Sequence, residues 1–230
     1  MGMIEEAFAG LYPEREYPYL GKITYSGKFS DYNANIRLQD NCMTFNLSKK
    51  WKEVDRDIRI GLLQVLLTKM MKKELSRQQP KKTDKKTTLQ MDLYQHFIKS
   101  LHLGIIKDKD DPHLSASFER VNALYFNHQV EKPNLVWGKE SIRKLGHYNY
   151  QTDTIMLSKV FHGGDTKFID LVMHHEILHK HLQFFWKPGR SYYHTPEFRK
   201  KEKEFKDFEQ VERELERFLA KKKVKRWFFG

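Results

Sequence analysis

The stretch His175-Glu176-Ile177-Leu178-His179 constrains this chain more than any other. A helix turns once in ~3.6 residues, so histidines four apart share a face and both imidazoles can reach one metal ion. Phe168, Leu171, Val172, His175, His179 and Leu182 keep the i, i+3, i+4, i+7 rhythm of a buried stripe, which turns both imidazoles inward. Buried imidazoles need partners, and one metal ion serves both. Glu176 lies about 100° around the helix from His175, near enough to act as a base on water at the ion without binding the ion itself. The metal helix is expected over about 165–184.

A hydrolytic zinc (Zn2+) site takes three protein ligands and keeps one position open, which sends the search for a third ligand beyond the helix. His194 is the candidate. It precedes Thr195, a suitable N-cap, and Pro196, a suitable first helical residue, so it stands at the entrance to a new helix. Lys187-Pro188-Gly189-Arg190 is turn chemistry that lets the chain return towards the first helix. Tyr192 and Tyr193, beside His194, are candidate donors to a developing oxyanion, with plain packing as the alternative. His174 and His181 fall off the ligand face and are expected in solvent, and Asp170 is expected at the surface.

Several motifs occur in a fixed order. Phe118-Glu119-Arg120-Val121-Asn122-Ala123-Leu124-Tyr125-Phe126-Asn127 comes first, then Leu145-Gly146-His147-Tyr148-Asn149, then Thr154-Ile155-Met156-Leu157-Ser158. The metal helix and His194-Thr195-Pro196-Glu197-Phe198 complete the series. From about Leu114 to Leu219 the chain resembles the SprT-like metalloprotease domain, which is related to Spartan, and it is also similar to the YgjP-type metallohydrolases. The resemblance implies a zinc-dependent peptidase with His175, His179 and His194 as ligands, Glu176 as base and a protein or peptide as substrate. It further implies an α+β, zincin-like domain with helices packed on a small sheet. A strand near 145–149 or 154–158 would hold the substrate backbone, and the targets would include proteins associated with DNA. One departure is plain: Cys42 is the sole cysteine, so the cysteine-rich zinc ribbon common in such proteins cannot form. A lone cysteine, read as structural, suits a reducing compartment.

The formal charge of +12 over 230 residues favours polyanions, nucleic acid among them, although a solvated lysine-rich surface is the ordinary source of such charge. No apolar run is long enough to span a bilayer, and no secretory pattern opens the chain. A cytoplasmic location is therefore expected, with nucleoid or nuclear association as the variant that the charge suggests. Composition marks a basic polar linker (80–90) and a basic-aromatic tail (223–230); the N-terminal α+β region (1–79) precedes the linker, and the resemblance implies that 91–222 is the SprT-like domain. The tail follows a Lys/Arg run with Trp227-Phe228-Phe229, suited to stacking on bases or to folding back on the body. From a different class comes the rival reading, a nucleic-acid-binding or scaffold protein with a structural zinc.

Local signals predict helices near 91–103 and 115–128, a strand from Asn134, strands around 145–149 and 154–158 joined by a turn at 150–153, and a last helix from Pro196 to about 222 with a break near Phe205 to Phe208. The N-terminal half echoes this order. Leu11-Tyr12 parallels Leu124-Tyr125, Gly27-Lys28 parallels Gly138-Lys139, Tyr32-Asn33 parallels Tyr148-Asn149, and Leu47-Ser48-Lys49 parallels Leu157-Ser158-Lys159. In the next helix Gln64, Val65 and Thr68 replace His175, Glu176 and His179. The expectation is a degenerate copy of the same unit that has lost its metal site.

Overall fold

A computed structural model describes residues 2–78, 87–183, 185–187 and 190–228, with the backbone alone at 72–78, 185–187, 190–192 and 223–228. Residues 80–86 of the expected linker (80–90), the turn residues Pro188 and Gly189, the side chain of Tyr192 and the tail aromatics lie outside what is described at side-chain level, while residues 89 and 90 of that linker belong to a helix. The chain is mixed α and β. It divides into two compact units, residues 1–100 with 186–192, and residues 101–185 with 193–230.

In the first unit, helix α1 (Met3–Leu11) precedes strands β1 (Leu20–Ser26), β2 (Ala34–Gln39) and β3 (Cys42–Ser48). A 3-10 turn at Lys49–Glu53 then leads into α2 (Arg56–Gln78), and α3 (Leu89–Ser100) comes after it. The sheet order is β1-β3-β2, with β1 parallel and β2 antiparallel to β3. Alternation along β3 buries Met43, Phe45 and Leu47 on one face. Gly61 is required where α2 meets α3, because a β carbon there would stand 2.9 Å from Cβ of Tyr94 and closer still to the backbone of Gln90. α3 falls in the first unit, whereas the expected SprT-like domain includes residues 91–100.

The second unit repeats the plan. Helix α4 (Pro112–Phe126) precedes β4 (Asn134–Trp137), β5 (Gly146–Asn149) and β6 (Thr154–Leu157), then a 3-10 turn at Lys159–Phe161 and helix α5 (Thr166–Leu182). Its sheet order is β4-β6-β5, with β4 parallel and β5 antiparallel to β6. After α5, two short strands, β7 (Phe185–Lys187) and β8 (Arg190–Tyr192), pair with each other, with residues 186–192 grouped in the first unit, and α6 (Pro196–Glu202) and α7 (Phe208–Phe228) end the described chain. Asp111 caps α4 by accepting from the backbone N–H groups of His113 and Leu114, with Pro112 in the first turn. Lys203 to Asp207 break α6 from α7, and Asp207 takes a left-handed φ of 54°.

Local bonds agree as closely as strand order does. Ser48 N donates to Asn33 O (3.0 Å) and Ser158 N to Leu145 O (2.8 Å). Leu20 N donates to Asn41 O (3.1 Å) and Asn134 N to Asp153 O (2.8 Å), and both acceptors sit at positive φ. These ladders set Asn33 where Leu145 stands, so the match of Tyr32-Asn33 to Tyr148-Asn149 is out of register; Ile36 opposes Phe45 as Tyr148 opposes Ile155. Gln64 is buried against α1, where a β carbon on Gly10 would stand 2.6 Å from its amide nitrogen, much as His174 is buried against Tyr125 and Phe126 of α4.

The core of the second unit seats α5. Phe118 from α4, Ile155 and Leu157 from β6, and Met173, Ile177 and Leu178 from α5 are all at most 1% exposed. Full burial of each such side chain contributes ~1.5–3 kcal/mol relative to exposure. Packing on this scale anchors the helix in the core.

Candidate metal centre

α5 is capped by Asp165, whose side chain accepts from the backbone N–H of Lys167 (3.0 Å). Ten residues beyond that cap, His175 and His179 occupy successive turns with ring centroids 4.8 Å apart. His194 is brought to them by the start of α6, where Thr195 accepts from the backbone N–H of Phe198 (3.2 Å) and Pro196 takes the first turn. The Nε2 atoms of His175 and His179 are 3.1 Å apart, and those of His175 and His194 are 3.4 Å apart. One ligand atom from each of the three lies within 4.8 Å of the others. Tetrahedral coordination with nitrogen ligands at ~2.0–2.1 Å sets neighbouring nitrogens ~3.3 Å apart, close to the two separations made by His175, so the three histidines could hold a metal ion.

Phe198 forms the floor. Its ring centroid lies 5.1, 4.7 and 4.9 Å from those of His175, His179 and His194. Burial, with the neighbouring imidazoles, pushes the pKa of His179 down to about 3 and that of His194 below its ordinary value. Both rings are neutral at neutral pH, the form that ligates a metal. Tyr150 Oη donates to the carbonyl of His179 (2.7 Å) and so ties the end of the ligand helix to the chain leaving β5.

Glu176 is 4% exposed. Burial raises its pKa to about 7, against His175, the backbone amide of Tyr148 and Lys144, which favour the anion. The carboxyl is crowded against β5, since a β carbon built on Gly146 would stand 3.0 Å from Cδ of Glu176. A carboxyl group whose pKa lies near 7 can take and return a proton at pH 7.

Residues 114–217 match the SprT-like family. The SprT-like segment runs from α4 into α7 and includes the three histidines and Glu176. Domains of this family are generally metalloprotease-like and typically metal-dependent. No match to a curated protein was found.

Two other residues of α5 differ from expectation. His174 is 2% exposed, packed at 4.7, 5.6 and 5.6 Å from the rings of Tyr125, Phe126 and Phe205, and burial pushes its pKa down to about 4. It is a core residue. Asp170 is a packing partner of α4, accepting from Ser117 Oγ (2.5 Å) and from two nitrogens of Arg120 (3.1 and 2.8 Å). His181 is exposed, as expected, with its ring 5.4 Å from that of Phe126. Tyr193 is 44% exposed, with its ring 6.3 Å from that of His179. Sequence reasoning missed Glu202, whose Oε1 lies 2.6 Å from Nδ1 of His175. No local signal marks it, because 27 residues separate the pair.

Proposed function

We propose that the chain is a zinc-dependent peptidase in which His175, His179 and His194 hold the ion and Glu176 is the general base. The convergence of three Nε2 atoms beside a buried carboxyl is the observation that carries this reading. Zinc bound there would polarise the scissile carbonyl and lower the pKa of water from ~15.7 towards ~7. Glu176 takes the proton from the attacking water and returns it to the leaving amine, a role worth ~10²–10⁴ in rate. Burial matters here, because a carboxyl with a pKa near neutrality is matched to both halves of the transfer.

Among the strands considered for substrate, β6 is central in its sheet and β5 is at an edge. β5 also carries Gly146 against Glu176. An extended peptide added to β5 would place its backbone beside the base, with main-chain hydrogen bonds giving affinity and leaving sequence preference loose. The charge of +12 supports the narrower version, in which the substrates are proteins held on nucleic acid.

The N-terminal unit belongs to this reading as a degenerate second copy of the protease unit. Identical strand order and directions, and matching bonds at Ser48 and Ser158, support common ancestry of the two units. A structural zinc in a scaffold would be closed by a fourth protein ligand. Among the described residues the group that can hold an ion has three histidines. The test is zinc content of the purified protein, then hydrolysis of an unfolded protein with and without DNA. About one zinc per chain and zinc-dependent cleavage are expected; zinc without cleavage of any substrate form favours the scaffold.

A further inference from the structure

We infer that Glu202 is the positioning residue of the metal centre, fixing the His175 ring through Nδ1 so that Nε2 faces the ion. The inference rests on the zinc reading and adds to it a residue outside the ligand set and the base. An ionised carboxylate only accepts hydrogen bonds, so at 2.6 Å from Oε1 the Nδ1 of His175 carries the proton and donates it. The lone pair is then left on Nε2. That nitrogen is the one 3.1 Å from Nε2 of His179 and 3.4 Å from Nε2 of His194. The tautomer set by Glu202 is thus the one the cluster requires.

Glu202 acts on one ligand selectively. Nδ1 of His179 is buried with no partner among the described residues, so that ring is held by packing on Phe198. The contact of Glu202 is with His175, at 2.6 Å between Oε1 and Nδ1. Two of the neighbours of His175, Glu202 and His194, come from the same short segment. His194 stands just before α6 and Glu202 is its last residue, so one element grips the imidazole at its two nitrogens. Docking of α6 on α5 therefore delivers the third ligand and the orienting carboxylate together. The carboxylate would also offset part of the 2+ charge of a bound zinc without taking a ligand position, which would leave the fourth position for substrate chemistry.

Zinc affinity of the full chain, measured by competition with a chromogenic chelator, tests the assignment alongside the NMR signal of the His175 Nδ1 proton. Removing such a partner weakens metal binding by ~10–100-fold. Glu202→Ala is expected in that range, with loss of the slowly exchanging Nδ1 proton signal that His175→Ala also removes. Glu202→Gln keeps the size and an acceptor oxygen but no charge, and is expected between wild type and Ala, with the proton signal shifted. A folded Glu202→Ala protein that binds zinc within about twofold of wild type overturns the inference, because it misses the ~10-fold minimum for such a partner. Where the Ala variant does not fold, Glu202→Gln decides, and unchanged affinity with an unchanged proton signal overturns it. A wild-type protein that takes up no zinc overturns the zinc reading itself, which separates the two failures.

Discussion

A β carbon on Gly146 would stand 3.0 Å from Cδ of Glu176, so the backbone of β5 lies directly on the carboxyl proposed as base. The same carbon would stand 2.7 Å from Cγ1 of Val172, one helical turn before it. Neither neighbour can yield without moving α5 or turning the carboxyl. Gly146→Ala should therefore retain zinc yet lose on the order of 10²-fold in turnover, the effect of misplacing a catalytic group by ~1 Å. Overpacking should also cost ~1–3 kcal/mol in stability. Peptide cleavage at matched zinc content, with urea unfolding beside it, checks both, and unchanged turnover in a metallated variant would separate Gly146 from the base.

His179→Ala should lose the metal while α5 remains formed, because Met173, Ile177 and Leu178 pack in the core independently of the ion. His194→Ala should also fall well below one zinc per chain, since two imidazoles leave a catalytic site a ligand short. Elemental analysis with far-UV circular dichroism tests the pair. Full occupancy and undiminished activity in His194→Ala would remove His194 from the centre.

Asp153 sits at the turn between β5 and β6 with 0% exposure and a left-handed φ of 41°. It accepts from Tyr148 Oη (2.7 Å), from Lys180 Nζ (2.7 Å to Oδ2) and pairs with Lys107 (3.2 Å). Asp153→Ala would leave Lys180, next to the proposed ligand His179, buried without its carboxylate. A loss of ~3–5 kcal/mol is expected, as for other buried pairs broken on one side. Chemical denaturation measures it, and a change under ~1 kcal/mol would assign the charge to solvent rather than to the turn.

If substrates are presented on DNA, the +12 charge should make the association chiefly electrostatic, with affinity falling steeply as salt rises. Deleting residues 221–230 should flatten the slope of log affinity against log salt, by ~0.9 for each phosphate no longer neutralised. A protein that fails to bind DNA at low salt would remove the DNA-linked version and leave the general peptidase.

The parts of the molecule legible in the sequence are those set by short-range chemistry. Asp111-Pro112 and Thr195-Pro196 mark the starts of α4 and α6, and the four-residue spacing of His175 and His179 puts two imidazoles on one face. The break near Phe205 to Phe208 is legible too, because the apolar rhythm shifts there. Long-range relations are not. Glu202 meets His175 only because α6 folds back on α5, and His174 is buried because Tyr125, Phe126 and Phe205 converge on its side of the helix. Register also escapes, since both Tyr32-Asn33 and Ala34 onward satisfy the same local pattern and only the ladder to β3 chooses between them.

Substitution of Glu176 by Gln tests the central claim most directly. Gln keeps the size of the side chain, but its amide cannot accept a proton from water at neutral pH. Wild type and Glu176→Gln are to be brought to equal zinc content and compared on an unfolded protein substrate. Retained zinc and a fall in turnover of ~10²–10⁴ are predicted. A fully metallated Glu176→Gln protein that cleaves at the wild-type rate would contradict the assignment of Glu176 as the base.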